Sequence, residues 1–162
     1  MKKFFLSLLI LFIFAGCQSK PLDGPYKVER VVDGDTFIII QNDERVRVRA
    51  LCIDTPESVA PESTGKKNSE EGQISSDRAK QLLEGKEIYL EYDIEKYDQY
   101  DRLLAYVYLD DKKTMFEEIM LKEGLCKVVK YEPNIKYAER FYELQDEARK
   151  NKVGHYSTGF YK

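Results

Sequence analysis

The chain has 162 residues, of which 43% are hydrophobic and 34% are charged. This length and apolar content suit one globular domain with a single core and leave no room for a second domain. The formal net charge is −3, which excludes a globally basic protein of the kind that usually binds nucleic acid. His155 is the only histidine, so a zinc site of the usual nitrogen and sulfur type is hard to assemble.

The first sixteen residues differ in kind from the rest. Two lysines precede an apolar run over residues 4–15, which has the charged start and short hydrophobic core of an export signal. This run is too short for an ordinary membrane-spanning helix. It ends in the sequence FAGC at Cys17, which resembles a bacterial lipoprotein cleavage box, where the cysteine becomes the lipidated first residue.

We therefore predict a signal peptide over residues 1–16 and a lipidated N-terminus with a short tether over residues 17–25. The expected location is the extracytoplasmic face of a bacterial membrane, with attachment through the lipid, or secretion if Cys17 is not lipidated. Loss of the signal would remove two lysines and no acid, which would change the formal net charge from −3 to −5.

Alternating apolar residues predict three successive strands, at residues 26–32, 36–41 and 45–53. Asn42 and Asp43 lie between the second and third strands and are typical of a two-residue hairpin turn. The three strands should therefore form a meander.

Carboxylates lie at two ends of these strands. Asp33 and Asp35 flank Gly34 before the second strand, and Asp54 and Glu57 follow the third. On extended chain Asp33 and Asp35 would project to one side, and Gly34 allows a tight or positive-φ conformation. If the two ends meet, Asp35 and Asp54 converge on one hard cation, which takes oxygen ligands.

Arg49 supplies the complementary charge, because its planar guanidinium matches two oxygens of a phosphate. Arg49 and Asp54 are five residues apart, so a straight strand would point them to opposite faces. The sequence therefore predicts a bend or bulge between them.

The second half of the chain predicts three helices and two more strands. A polar loop over residues 58–72 is long enough to be mobile or to lie over a site, and a helix follows over residues 73–83. Strands are predicted at 87–94 and 103–109. The last two helices start at a capping box, Thr114 to Glu117, and near Asn134, where an apolar stripe begins. The stripe consists of Tyr137, Phe141, Leu144 and Ala148. This order favours an α+β, mainly β, five-stranded OB-fold barrel with three helices.

Three motifs in chain order resemble the staphylococcal nuclease (thermonuclease) family. They are DGDT at residues 33–36, Arg49 five residues before DTPE at 54–57, and YDRLLAY at 100–106. The resemblance covers residues 26–157, which we take as one OB-fold domain, followed by a tail over residues 158–162.

Each motif also has a plain structural explanation. DGD suits a hairpin turn, Thr55 to Glu57 suits a helix start, and Arg102 suits a surface ion pair with Asp98 or Asp101. If all three structural explanations held, three independent coincidences would be needed to produce the motifs in the order found in this one family.

The resemblance implies a Ca²⁺-dependent nuclease that cleaves DNA and RNA to products ending in a 3′-phosphate. It assigns direct metal binding to Asp35 and Asp54. The backbone carbonyl of Thr55 would be a further ligand, and Asp33 would hold a coordinated water.

The resemblance also assigns the reacting groups. Glu57 would orient or deprotonate the attacking water, and Arg49 and Arg102 would clamp the phosphate. Tyr100 and Tyr131 match positions near the nucleotide, where aromatic rings can stack on bases.

The acidic composition leaves two ways to bind a polyanion: a local basic patch, or weak capture that depends on the metal. Strong salt sensitivity is expected in both cases. The candidates for a patch are Arg45, Arg47, Arg49, Arg102, Lys127 and Lys130.

The remaining cysteines and the histidine are assigned to structure. Cys52 and Cys126 can pair in an exported protein, but their apolar neighbours favour two buried free thiols. His155 is expected to pack or to face solvent rather than to react.

Two other functions are kept open for what is expected to be a monomer. One is a non-catalytic surface OB-fold module that binds nucleic acid or oligosaccharide, which should lack a metal-binding acid or an arginine. The other is a structural or adhesive lipoprotein, which the acidic composition favours and which should be indifferent to calcium.

Overall fold

A computed structural model of the chain describes residues 22–58 and 69–162. The predicted signal peptide, Cys17 and most of the polar loop lie outside these residues. Within the two described ranges, no helix has the length and apolarity needed to cross a membrane.

The secondary structure alternates short strands with three helices. The strands are β1 (Asp23–Asp33), β2 (Thr36–Gln41), β3 (Glu44–Ala50), β4 (Ile53–Asp54), β5 (Glu87–Glu91), β6 (Leu103–Tyr108) and β7 (Lys127–Val128). The helices are α1 (Glu70–Leu83), α2 (Phe116–Lys122) and α3 (Ala138–Lys150), with a 3₁₀ turn at Gly154–Tyr156 near the end.

Five strands close a barrel in the order β1, β2, β3, β6, β5. All neighbours are antiparallel except β3 and β6, which pair in parallel at Arg49 and Leu104. β1 is irregular between Val28 and Arg30 and again before Asp33, and such bulges bend a strand so that it can pair on both sides. The barrel and its three helices confirm the predicted fold class.

The barrel interior is filled by apolar side chains from every strand, so the packed core supports both the barrel wall and the helices. Phe37, Ile39, Leu90, Leu103 and Tyr106 are among its fully buried members. Tyr106 and Phe141 from α3 meet edge to face with ring centroids 6.0 Å apart, which is a favoured aromatic geometry.

The predicted third strand is interrupted. β3 ends at Ala50, and Cys52 has φ of 59° before β4 begins, a conformation that is uncommon for residues other than glycine. The predicted bend therefore lies at residues 51–52. It allows β4 to leave the barrel and to pair with β7, where Asp54 is opposite Lys127.

The predicted starts of all three helices are wrong by one to four residues. α1 begins at Glu70 rather than at residue 73, because the Ser69 hydroxyl caps it by accepting the Gly72 N–H at 2.9 Å. α3 begins at Ala138 rather than near Asn134.

Asn134 has a different role. Its buried side chain accepts the N–H groups of Ile94 and Glu95 at 3.0 and 2.8 Å and donates to the Glu95 carbonyl at 2.8 Å. These bonds join it to the segment after β5, which explains why it does not start a helix.

The predicted capping box of α2 is not formed. The residue before the helix is Met115, which makes no side-chain cap. Thr114 instead donates its hydroxyl to Asp111 at 2.5 Å. Both carboxylate oxygens of Glu117 accept the N–H of Val107, at 3.0 and 3.2 Å, so this glutamate joins α2 to the barrel.

Glu117 is fully buried. Burial raises the pKa of its carboxyl well above the usual value, and this outweighs the lowering by backbone N–H donors. A carboxyl whose pKa is raised in the folded state makes its full contribution to stability at pH values below its unfolded-state pKa. This contribution is lost as the pH rises through the folded-state pKa.

We expect Glu117→Gln, which keeps an acceptor for Val107, to be more stable than wild type near neutral pH. The advantage should shrink as the pH falls from about 8 to about 4, because the wild-type carboxyl then becomes neutral in both states. Urea unfolding across this range measures the difference.

Glu118→Gln is the matched control. Pairing with Arg140 lowers the pKa of Glu118, so this variant should be less stable than wild type at neutral pH, with a deficit that shrinks in acid. A stability difference for Glu117→Gln that does not change with pH would contradict the assignment.

Candidate active site

The tip of the β1–β2 hairpin holds the first two acids. Gly34 and Asp35 form the turn between β1 and β2. Asp35 is buried, and its Oδ1 accepts the Thr36 hydroxyl at 2.9 Å. Its Oδ2 accepts both the N–H and the hydroxyl of Thr55, at 3.0 and 3.1 Å. These donors hold the carboxylate in one orientation.

Gly34 is required for the close approach of two chain segments. A Cβ at this position would lie 2.8 Å from side-chain atoms of Thr55. The backbone φ of Gly34 is outside the positive region that favours glycine. The lack of space for a Cβ, rather than a left-handed backbone conformation, therefore explains why this position holds glycine. The hairpin tip therefore lies directly against the segment that follows β4.

Arg49 joins the two predicted metal-binding acids. It is opposite Thr36 across β2 and β3, and its Nη1 forms an ion pair with Asp35. Its Nη2 lies 3.3 Å from Asp54 Oδ1 and donates to the Ile53 carbonyl at 3.1 Å. The guanidinium is largely buried between two carboxylates from different strand ends, so these ends meet at one positive group.

The donor set of this site consists of oxygens. Asp35 and Asp54 contact the same guanidinium, so their carboxylates face one position, which the positively charged side chain of Arg49 occupies. Carboxylates with backbone and water oxygens are the ligands of a hard ion such as Ca²⁺. Within residues 22–58 and 69–162 no three acidic, histidine or cysteine side chains cluster for a metal. The residues present fit an ion that takes two carboxylates and completes its shell with backbone and water oxygens.

Asp33 lies beside this pair and contacts the next turn of chain. Its Oδ1 accepts the Gly34 N–H at 2.8 Å and the Ser58 hydroxyl at 2.9 Å. Burial raises the pKa of the Asp33 carboxyl, these donors oppose the rise, and the neighbouring Glu57 carboxylate adds to it. Asp33 and Glu57 are therefore close enough to interact electrostatically.

The start of α1 positions Glu57. The Glu57 carbonyl accepts the N–H and the hydroxyl of Ser69, at 3.3 and 3.4 Å. A Cβ on Gly72 would lie 2.2 Å from the same carbonyl oxygen. Sequence reasoning missed these supporting residues, although Ser69 three residues before Gly72 is a recognisable cap signal.

A cleft of about 420 Å³ opens beside Arg49, which we call the tyrosine cleft. Tyr100 and Tyr131 are exposed at 70% and 47%, and both line it together with Arg49 and Arg102. The parallel pairing of β3 and β6 brings the two arginines to the same cleft. Exposed rings beside buried positive charge suit a ligand that carries both a base and a phosphate.

Arg102 makes an ion pair, as one prediction from the sequence had it, and it also lines the tyrosine cleft. Its Nε donates to Asp98 at 2.7 Å, so an ion pair exists, and the partner is not Asp101. Its guanidinium carbon also lies 5.4 Å from the centroid of the Tyr100 ring. Because the ion pair with Asp98 uses Nε, it leaves the two terminal nitrogens, Nη1 and Nη2, for other contacts.

The two cysteines and the histidine are buried in the packed interior. Cys52 and Cys126 are buried free thiols. His155 is buried, with Nε2 2.8 Å from the Ser75 hydroxyl. That hydroxyl also donates to the Leu125 carbonyl at 2.7 Å. Burial lowers the pKa of His155, which suits a packed neutral ring.

The fold and the site together define an OB-fold protein with bridged acids and two arginines at one edge of its barrel. Residues 47–158 match the family model described as staphylococcal nuclease homologue. The chain is 41% identical over 133 residues to a thermonuclease of Staphylococcus hyicus, covering 82% of this chain and 76% of that protein. It is 40% identical over 136 residues to endonuclease YncB of Bacillus subtilis, covering 83% of this chain and 62% of that protein. The chain belongs to the staphylococcal nuclease family, which confirms the resemblance seen in its motifs.

We expect Gly72→Ala to lower the free energy of unfolding by about 1–3 kcal/mol, the usual range for overpacking. The added methyl group must push against the Glu57 carbonyl, so the amide resonances of residues 57 and 58 should shift. Urea unfolding and amide NMR spectra measure the two effects.

Gly85→Ala is the control, because Gly85 has φ of +74° with nothing within 4 Å of an added Cβ. It should lose about 1 kcal/mol through backbone strain and leave the resonances of residues 57 and 58 in place. Equal shifts in both variants would show that Gly72 does not position Glu57.

Proposed function

We propose that this nuclease depends on Ca²⁺ and hydrolyses single- or double-stranded DNA and RNA by attack of water on phosphate, leaving 3′-phosphate ends. The observation that carries the proposal is the Arg49 guanidinium held between Asp35 and Asp54 at the edge of the tyrosine cleft. The relatives named thermonuclease and endonuclease support the same reaction class.

Asp35 and Asp54 would hold the ion, with the Thr55 carbonyl as a further ligand and Asp33 binding a coordinated water. When bound, the ion would stabilise negative charge on the phosphate. The bonds that Asp35 accepts from Thr36 and Thr55 keep its carboxylate oriented, so little reorganisation is needed when a ligand arrives.

Glu57 is proposed to orient or deprotonate the attacking water. Its backbone is held by Ser69 and by the close contact with Gly72, so its position depends on α1. The neighbouring Asp33 provides a second negative group, which favours the proton-accepting role of this corner of the site.

Arg49 and Arg102 are proposed to bind the phosphate and to stabilise the charge that develops on it. Arg49 is already buried beside the acids, and Arg102 is held by Asp98 at the rim of the same cleft. Tyr100 and Tyr131 would stack on bases, each contributing on the order of 1–3 kcal/mol of binding free energy. Because the chain is acidic overall, substrate affinity should fall steeply with salt.

We expect the purified protein to hydrolyse single-stranded DNA with Ca²⁺ and not with a chelator. Arg102→Ala should lower kcat/KM by about 10²- to 10³-fold, the typical effect of losing one preorganised donor. Asp35→Asn should weaken the calcium response strongly, because it replaces a proposed carboxylate ligand with a neutral amide. A hydrolysis assay on oligonucleotides measures all three.

Arg45→Ala is the matched arginine control. Arg45 is 72% exposed and pairs with Glu29 on the barrel surface, so its loss should leave kcat/KM near the wild-type value. A folded wild-type protein that cleaves nothing at any calcium or salt concentration would refute the enzyme and favour the non-catalytic binding module.

We also propose that the protein is exported and carries a lipid on Cys17, on the strength of the FAGC sequence after the apolar run. In bacterial cells, wild type should partition into the detergent phase of a Triton X-114 extract and Cys17→Ser into the aqueous phase. Equal partitioning of the two proteins would contradict lipidation.

A further inference from the structure

A second cleft, of about 390 Å³, opens beside Asp54, and we call it the tail cleft. Its lining includes Asp54 and Glu57 from the active site, Lys127 from β7, and Phe160 and Tyr161 from the last residues of the chain. None of the motifs that resemble the nuclease family contains Lys127, Phe160 or Tyr161.

The two clefts flank one chemical centre. Arg49 lines the tyrosine cleft and Asp54 lines the tail cleft, and Nη2 of Arg49 is 3.3 Å from Oδ1 of Asp54. A phosphodiester carries a nucleoside on each of its two ester oxygens. A phosphate bound at Arg49, beside Asp54, would therefore direct one nucleoside toward each cleft, and the tyrosine cleft accounts for only one.

The aromatic wall of the tail cleft is held in place by packing. The Tyr161 N–H donates to the His155 carbonyl at 3.2 Å, and the ring of Tyr161 lies 5.5 Å from the His155 ring. The Phe160 ring lies 5.1 Å from Tyr161 and 5.9 Å from His155. His155 is in turn anchored by Ser75, so a buried network supports a Phe160 ring that is 44% exposed.

Lys127 supplies positive charge in the same cleft. Its Nζ lies 3.8 Å from Asp54 Oδ2, and its side chain is 52% exposed. A pair that is long and solvated in this way contributes little, so the ammonium is available to a stronger anion. The Tyr161 hydroxyl is buried and has no hydrogen-bond partner among the described residues, which leaves a further polar group in the wall.

We propose that Phe160 and Lys127 form a second nucleotide subsite, in which a base stacks on the Phe160 ring and the adjoining phosphate binds Lys127. The subsite rests on the proposed nuclease function and adds to it the nucleoside on the second side of the scissile phosphate. It binds any base, because stacking on an aromatic ring is tolerant of sequence.

The first test uses the absence of tryptophan from the sequence. Phe160→Trp places the only tryptophan of the chain in the tail cleft, and oligothymidylate added in a chelator, which prevents hydrolysis, should quench the tryptophan fluorescence in a saturable way. Lys127→Gln in the Phe160→Trp background should weaken the apparent affinity. Tyr89→Trp is the control, since Tyr89 pairs with Tyr108 at the end of β6 away from Arg102, and it should not respond.

The second test uses activity. Phe160→Leu keeps an apolar contact but removes the ring, so KM for a single-stranded oligonucleotide should rise about tenfold with kcat within about twofold. Phe160→Tyr keeps an aromatic ring at this position, so its KM should stay near the wild-type value. An effect of both variants on KM, or of neither, would overturn the subsite.

The outcomes separate the subsite from the nuclease itself. Binding of a labelled oligothymidylate, seen by fluorescence anisotropy, without quenching of Phe160→Trp would refute the subsite and leave the proposed nuclease intact. Failure of wild type to hydrolyse DNA with Ca²⁺ would refute the proposed function, and failure both to hydrolyse DNA with Ca²⁺ and to bind the oligonucleotide would refute both proposals.

Discussion

The buried guanidinium of Arg49 binds two carboxylates that belong to different strand ends, and the proposed active site depends on that arrangement. Taking charged groups out of water is unfavourable unless they are paired. Asp35 and Asp54 satisfy Arg49, while Thr36 and Thr55 satisfy the oxygens of Asp35. Charge pairing therefore holds together two segments that the barrel wall alone does not join, at the point where we propose that the substrate binds.

The close approach of these segments requires small residues and a break in the barrel. Gly34 and Gly72 leave no room for a Cβ against Thr55 and Glu57, and the turn at Cys52 redirects Asp54 toward Arg49. The residues that support the site are thus as tightly constrained in type and conformation as its charged side chains. Backbone contacts of Ser69 and Gly72 with Glu57, together with those at the hairpin tip, position the acids proposed for the chemistry.

The acidic composition and the proposed anionic substrate are compatible because the relevant charges are local. Arg49 and Arg102 share one cleft and Lys127 lines the next, whereas Arg45 pairs with Glu29 on the outer surface. Net charge governs long-range attraction and its salt dependence. The proposed binding at the site depends instead on a few positive groups held at fixed positions.

The sequence by itself determined the five barrel strands, the two acids and two arginines proposed for the site, and the bend between Arg49 and Asp54, since periodicity and motif spacing are local properties of the chain. The tertiary structure decided the helix starts, because Asp111 takes the Thr114 hydroxyl and the segment after β5 takes the Asn134 side chain. It also decided that Asp98 is the partner of Arg102 and that Phe160 and Lys127 line one cleft. These contacts join residues whose spacing carries no signal, so only the folded chain brings them together.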